Sequence, residues 1–169
     1  ESIGYSVFEN CKSLSIITNQ SLISKLEFYS YAKCSSLTEI SIPKMVTKIE
    51  SRLFEHCHFL QVVIFDEDSR LEEIGDYAFS NTRIKSINLP KTVTTIGDFA
   101  FFNDFHLTEV SFEGKTIGQK AFSLTSLKSF TLSNNTEFID CGAFQDCHSL
   151  TEFKIDIENS KLSEIGEFA

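Results

Sequence analysis

Cysteine and histidine are the residues of this chain whose types and spacing suggest metal binding. Cys57 lies between His56 and His58, and Cys147 directly precedes His148. A structural zinc site needs four thiolate, imidazole or carboxylate ligands that converge as a tetrahedron, and these usually come as spaced pairs. The spacing here supplies no two such pairs. We therefore expect no metal site and no bound cofactor.

Catalytic chemistry has equally little support. No Ser or Cys has a neighbouring base and an orienting acid at a recognisable spacing, and neither a phosphate-binding glycine-rich loop nor a His-Glu-x-x-His motif occurs. We expect the carboxylates of Glu9, Glu55 and Asp98 to be simply solvated. The four histidines are also expected to be exposed, on or near the outer turns: His56, His58, His106 and His148. We therefore predict no catalytic residues and no enzymatic activity.

Length and charge narrow the possible partners. The chain has 169 residues, enough for one domain with a sizeable core. Its net charge of −9 argues against binding a nucleic-acid backbone, which needs a basic face, and disfavours adsorption to anionic lipid. No apolar run approaches the roughly 18 residues of a membrane span, so we expect no direct membrane insertion. Five cysteines, an odd number, exclude a fully paired disulfide framework.

The elements that position all these residues come from an internal repeat. The segment Ile74 to Phe79 returns as Ile96 to Phe101 and as Ile117 to Phe122, and looser copies begin at Ile3, Leu26, Ile49, Ile139 and Ile165. Successive copies start 23, 23, 25, 22, 21, 22 and 26 residues apart. Units of this size cannot bury an apolar face alone and must stack. We therefore predict a single solenoid over residues 1–169, of about seven coils and truncated at both ends.

Each copy carries the same series of positions. The phenylalanine position holds Tyr31 in one copy and six of the 17 phenylalanines in the others, which predicts one stacked ring per coil: Phe8, Phe54, Phe79, Phe101, Phe122 and Phe144. Three residues later comes a small-residue position, which we expect to point inward: Cys11, Cys34, Cys57, Thr82, Asp104, Thr125 and Cys147. A buried thiol behaves as a small apolar group. Stacked disulfides among the first three cysteines are geometrically conceivable, but we expect free thiols. Cys141 fits no position and is the expected exposed thiol.

Local periodicity assigns structure within a copy. Alternation from Thr38 to Ile42 predicts a short half-buried strand that ends at Pro43. Equivalent strands would form one parallel ladder with a spacing of about 4.8 Å. Second extended stretches are expected at Val46 to Ile49, Val93 to Ile96 and Leu162 to Ile165. The segment after the glycine is too short for an independent helix, so we expect one helical or 3₁₀ turn there.

The repeated string Leu-x-x-Ile-x-Leu-Pro-x-x-Val-x-x-Ile-Gly-x-x-Ala-Phe-x-x-Cys resembles the Treponema-type, BspA-like leucine-rich repeat. It is clearest in Leu37 to Phe54 and Ile84 to Phe101, whereas the first copy departs by placing Asn19 in an apolar position. The resemblance implies an α/β-type right-handed solenoid, with short parallel strands on the concave face and short helical or 3₁₀ turns on the convex side. It also implies a cell-surface or secreted location and a role in adhesion and protein binding. A host or extracellular-matrix protein is then a possible partner.

Residues that flank the inward strand positions should form a binding face in the concavity: Glu39, Ser41, Val62, Ile64, Ser86, Asn88, Glu109, Ser111, Ser129, Thr131, Glu152 and Lys154. Most are small or acidic. Val62 and Ile64 are the exception and, if exposed, form an apolar patch suited to protein contact. A neighbouring segment or further coils could equally cover them. The rival functions are a purely structural spacer and the repeat region of a larger protein whose enzymatic or regulatory part lies elsewhere.

Overall fold

The computed structural model describes residues 1–17, 22–155 and 158–169. Asn19, the polar residue in an apolar repeat position, lies outside the described residues. Within them the chain forms fourteen short strands: β1 (Ser2–Ile3), β2 (Lys25–Leu26), β3 (Glu39–Ile42), β4 (Lys48–Ile49), β5 (Val62–Phe65), β6 (Glu73–Ile74), β7 (Ser86–Asn88), β8 (Thr95–Ile96), β9 (Glu109–Ser111), β10 (Thr116–Ile117), β11 (Ser129–Thr131), β12 (Phe138–Ile139), β13 (Glu152–Lys154) and β14 (Glu164–Ile165).

The two-residue strands stack the coils. Strands β4, β6, β8, β10, β12 and β14 form one six-stranded parallel sheet, and β1 pairs with β2 in the same way. Ile74 pairs with Ile49 before it and Ile96 after it, so equivalent repeat positions are in register. The prediction of a second extended stretch is confirmed, although each strand covers only the last two residues of the predicted segment.

The longer strands do not form the single continuous ladder that the repeat predicts. They pair only as β3 with β5, β7 with β9 and β11 with β13. Strands β7 and β11, which do not pair with the preceding coil, follow Ile84 and Leu127. These are the two copies that have one residue fewer between the small-residue position and the aliphatic position. We attribute the breaks to this shorter path into the strand.

The expectation of helical or 3₁₀ turns is wrong, because the described residues contain turns but no helix. In the coil from Gly75 to Asn81, the amides of residues 78 and 80 bond to carbonyls three residues earlier. The amides of residues 77, 79 and 81 instead donate to carbonyls of the next coil, at residues 98, 100 and 102. Tyr77 and Asn81 also have φ angles of 56° and 60°. A helix would need successive bonds within one segment, whereas here every second amide joins two coils.

The predicted ring stack fills the core. Tyr31, Phe54, Phe79, Phe101 and Phe122 are fully buried. From Phe8 to Phe144, seven stacked rings follow one another with centroid separations of 5.3 to 5.6 Å. Aromatic pairs at such distances add to the burial energy of each ring. The phenylalanines of this repeat position therefore stack successive coils on one another.

The small-residue position also points inward, as predicted. Cys34, Cys57, Thr82, Asp104 and Thr125 are at most 4% exposed. All five cysteines of the chain are free. The exceptions are at the ends of the row: Cys11, in the first described coil, is exposed, and Cys147 is half-buried.

Candidate functional site

The outward residues of the longer strands form an open surface, which we call the strand face. All twelve residues predicted for it, from Glu39 to Lys154, are exposed. In β3, Glu39 and Ser41 are exposed while Ile40 and Ile42 are buried. This alternation is the geometry of a strand with one side on the core. These side chains are thus exposed, as the alternation predicts; that they face a concavity and bind a partner stays a prediction.

Val62 and Ile64 give the strand face an apolar centre. Each side chain is 46% exposed, and no described segment covers either of them. In the parallel pair of β3 and β5 they lie opposite Glu39 and Ser41. Ile16, two coils away, is 68% exposed. Two β-branched side chains on the same side of β5 are thus exposed to solvent, on a face that otherwise carries mainly small and charged groups.

The breaks between the longer strands open two grooves in this face. The first, about 340 Å³, lies between β5 and β7 and is lined by Val62, Phe65, Ser86 and Asn88 among others. The second, about 550 Å³, lies between β9 and β11 and is lined chiefly by residues 109–113 and 129–134. Strand edges that do not pair leave main-chain donors and acceptors available to a ligand. Sequence reasoning missed the grooves, although the two shortened copies were the signal for them.

The side chains that suggested a metal site do not point toward one another. Cys57 points inward and its thiol lies 3.1 Å from the carbonyl oxygen of Tyr31, while His58 is exposed with Nδ1 3.2 Å from the Asn81 carbonyl oxygen. Burial raises the pKa of Cys57 to about 12, which disfavours the thiolate that metal binding requires. Within the ranges that the structure describes, no three His, Cys, Asp or Glu residues form a group that could hold a metal ion.

Three surface expectations need correction. Glu55, expected to be solvated, is 7% exposed, because Arg52 folds over it and donates a 2.7 Å hydrogen bond to Oε1. His56 and His106 are half-buried, and each has a ring contact within its own coil, with His58 and Phe105 respectively. Cys141, the expected exposed thiol, is also half-buried, and its amide donates to its neighbour's carboxylate.

Known proteins share this repeat sequence and this fold. The sequence model of the BspA type leucine rich repeat region matches residues 1–73 and 65–169, with six copies. A leucine-rich repeat protein from Bacteroides ovatus is similar in structure, with a TM-score of 0.89 and 31% identity, over 99% of this chain. The chain spans 43% of the length of that protein. A comparison with curated proteins finds no match.

Other similar structures are more distant. A leucine rich cell surface protein from Faecalibacterium prausnitzii aligns with a TM-score of 0.69 at 22% identity, over 92% of this chain and 51% of its own. The pneumococcal vaccine antigen PcpA aligns with a TM-score of 0.62 at 27% identity, over 69% of this chain and 29% of its own.

No helix in the described part of the chain is long and apolar enough to cross a bilayer. The chain forms a right-handed parallel solenoid of about seven turns, in which successive short strands stack in register. The family model covers the whole length of the sequence. The chain therefore belongs to the BspA-type leucine-rich repeat family.

Proposed function

We propose that residues 1–169 form one solenoid domain that acts as a non-catalytic protein-binding module through its strand face, the concave side of the repeat. The observation that carries this proposal is the exposed pair Val62 and Ile64. Apolar groups at the centre of a surface with a polar rim are typical of protein contact sites. Carboxylates and hydroxyls surround this pair, and the groove between β5 and β7 begins beside it.

The stacked coils support binding by rigid display. The six-stranded sheet and the ring stack hold the coils in register. Each strand-face side chain therefore occupies a fixed place before a partner arrives. Many weak contacts then add with little loss of conformational entropy on binding.

We place the domain in a cell-surface or secreted protein with a role in adhesion. Support comes from the Faecalibacterium protein, which is called a cell surface protein, and from PcpA, which is called a vaccine antigen. A host or extracellular-matrix protein would then be the natural partner. The rival proposal of a spacer rests on the same continuous six-stranded sheet, which would keep other domains apart even without a ligand.

The test uses binders selected from a displayed peptide library on the whole chain. Val62→Ser and Ile64→Ser should weaken the selected strand-face binders by roughly tenfold, because each removes buried apolar contact from the interface. Val7→Ser is the matched control, since Val7 is 54% exposed but lies on a turn of the first coil. Melting temperatures should be unchanged in all three variants. If no selected binder is weakened by either strand variant, the strand face is not a binding surface and the spacer is favoured.

A further inference from the structure

The segments that lead into the longer strands form a second surface, which we call the strand-entry edge. It comprises residues 35–38, 58–61, 83–85, 105–108, 126–128 and 148–151. Backbone hydrogen bonds join successive segments, with the Arg83 amide 2.9 Å from the Leu60 carbonyl oxygen and the Thr108 amide 2.9 Å from that of Lys85. The side chains of consecutive coils therefore lie side by side along one edge of the solenoid.

The charge of this edge is opposite to that of the whole chain. The chain has 24 acidic residues and a net charge of −9, yet none of the six segments contains Asp or Glu. Arg83, Lys85 and Lys128 are exposed there. None of the three takes part in an ion pair with any described residue, whereas seven of the other twelve Lys and Arg residues, Lys33 and Lys48 among them, do. Three cationic groups are thus left without an internal counter-ion.

Large aromatic side chains accompany these cations. Phe59 is 47% exposed and Phe105 is 58% exposed. The guanidinium carbon of Arg83 lies 4.8 Å from the ring centroid of Phe59, and the ring of Phe105 contacts His106 at 4.6 Å. Stacking on a ring orients a guanidinium while leaving its N–H groups free to bind a carboxylate. Arginine and aromatic residues are also the types most enriched at protein-binding hot spots.

From this juxtaposition we propose that the strand-entry edge binds an acidic segment of a partner protein that carries a large apolar side chain. The carboxylates of the segment bind Arg83 and Lys85, and its apolar side chain packs on the exposed ring of Phe105. A simple polyanion would satisfy the cations but leave both rings in water, so the exposed rings favour a protein. This edge adjoins the strand face, because Gln61 belongs to the edge and also lines the groove beside Val62, but the proposal rests on other residues and does not depend on the proposed function of that face.

The absence of tryptophan from the chain gives a direct assay. The probe is an acetylated peptide with one tryptophan between two pairs of glutamates, and its fluorescence reports binding to the whole chain. The matched peptide has lysines in place of the glutamates. We expect saturable binding of the acidic peptide only, with an affinity that falls as salt is added, because exposed charges are screened. Equal binding of both peptides, or of neither, overturns the proposal.

Variants then locate the site. Arg83→Gln and Phe105→Ser should each weaken the acidic peptide by roughly tenfold, as expected for hot-spot residues. Arg70→Gln, at another exposed arginine, should change its affinity less than about twofold. Heparin tests the alternative of a general polyanion site. The proposal is overturned if Arg83→Gln and Arg70→Gln weaken the peptide equally. It is also overturned if heparin binds as tightly as the peptide and Phe105→Ser changes the affinity for neither ligand.

Discussion

Thr82 donates a hydrogen bond of 2.6 Å from its hydroxyl to Oδ2 of Asp104, and the two side chains are buried in adjacent coils. Oδ1 of Asp104 is also buried and has no hydrogen-bond partner among the described residues. Burial raises the pKa of Asp104 to about 7, although the bond from Thr82 opposes the rise. A position that holds a thiol or a hydroxyl in other coils thus holds a carboxyl here, which titrates near neutral pH.

This carboxyl should make the stability of the protein depend on pH. The folded state holds the proton more tightly than the unfolded chain, where the pKa is near 3.8. The contribution of Asp104 to stability is therefore fully present below about pH 4 and is lost as the pH rises through about 7. We expect urea denaturation to show that the wild type loses roughly 2 to 4 kcal/mol of unfolding free energy relative to Asp104→Asn across this range. Asp104→Asn should flatten the profile, and the control Asp146→Asn, at an exposed aspartate, should not. Parallel profiles for wild type and Asp104→Asn would contradict this account.

The ring stack should dominate the energetics of the core. Phe101→Ala removes a fully buried ring from between Phe79 and Phe122. We expect it to lower the free energy of unfolding by about 3 to 5 kcal/mol, through lost burial and the cavity that remains. Phe105→Ala removes the same atoms from a side chain that is 58% exposed and should cost much less. Similar midpoints for the two variants in denaturant would show that the stack contributes little.

Gly97 is required because two coils approach closely, and its φ angle plays no part. A Cβ atom there would lie 2.6 Å from a carboxylate oxygen of Asp76 and 2.9 Å from the Asp76 backbone nitrogen. Gly97→Ala should therefore destabilise the fold by roughly 1 to 3 kcal/mol, the usual cost of overpacking. Gly4→Ala is the control, because the nearest atom to its Cβ would be 3.7 Å away, on the side chain of Val7. Thermal denaturation compares the two, and equal melting temperatures would count against the steric explanation.

Repeat period predicts this fold well because burial acts in the same way on every coil. Phe79 and Phe101 stack since 22 residues bring equivalent positions together, and Thr82 can share a position with Cys57 since both are small. The outward direction of Val62 follows from alternation. One feature that depends on atomic detail was not predictable: every second amide of the turns donates to the next coil. The two breaks in the longer ladder did have a signal in the sequence, the two shortened copies, which was missed. The pattern of apolar residues does not indicate whether a turn amide donates its hydrogen bond within its own coil or to the next coil.

The corrected position of Glu55 leads to a test of coupling. Arg52 lies between two rings, with its guanidinium carbon 4.1 Å from the centroid of Tyr77 and 5.9 Å from that of Tyr29, and it donates a 2.7 Å hydrogen bond to Glu55. Arg52→Ala would leave a carboxylate that is 7% exposed without its cation. We expect a loss of roughly 1 to 3 kcal/mol in unfolding free energy.

Adding Glu55→Gln to Arg52→Ala should restore part of the lost free energy, because the neutral amide does not need that cation. A double-mutant cycle by urea denaturation measures the coupling, which we expect to be about 1 kcal/mol or more. Additive losses would mean that Arg52 stabilises the coil through ring packing alone.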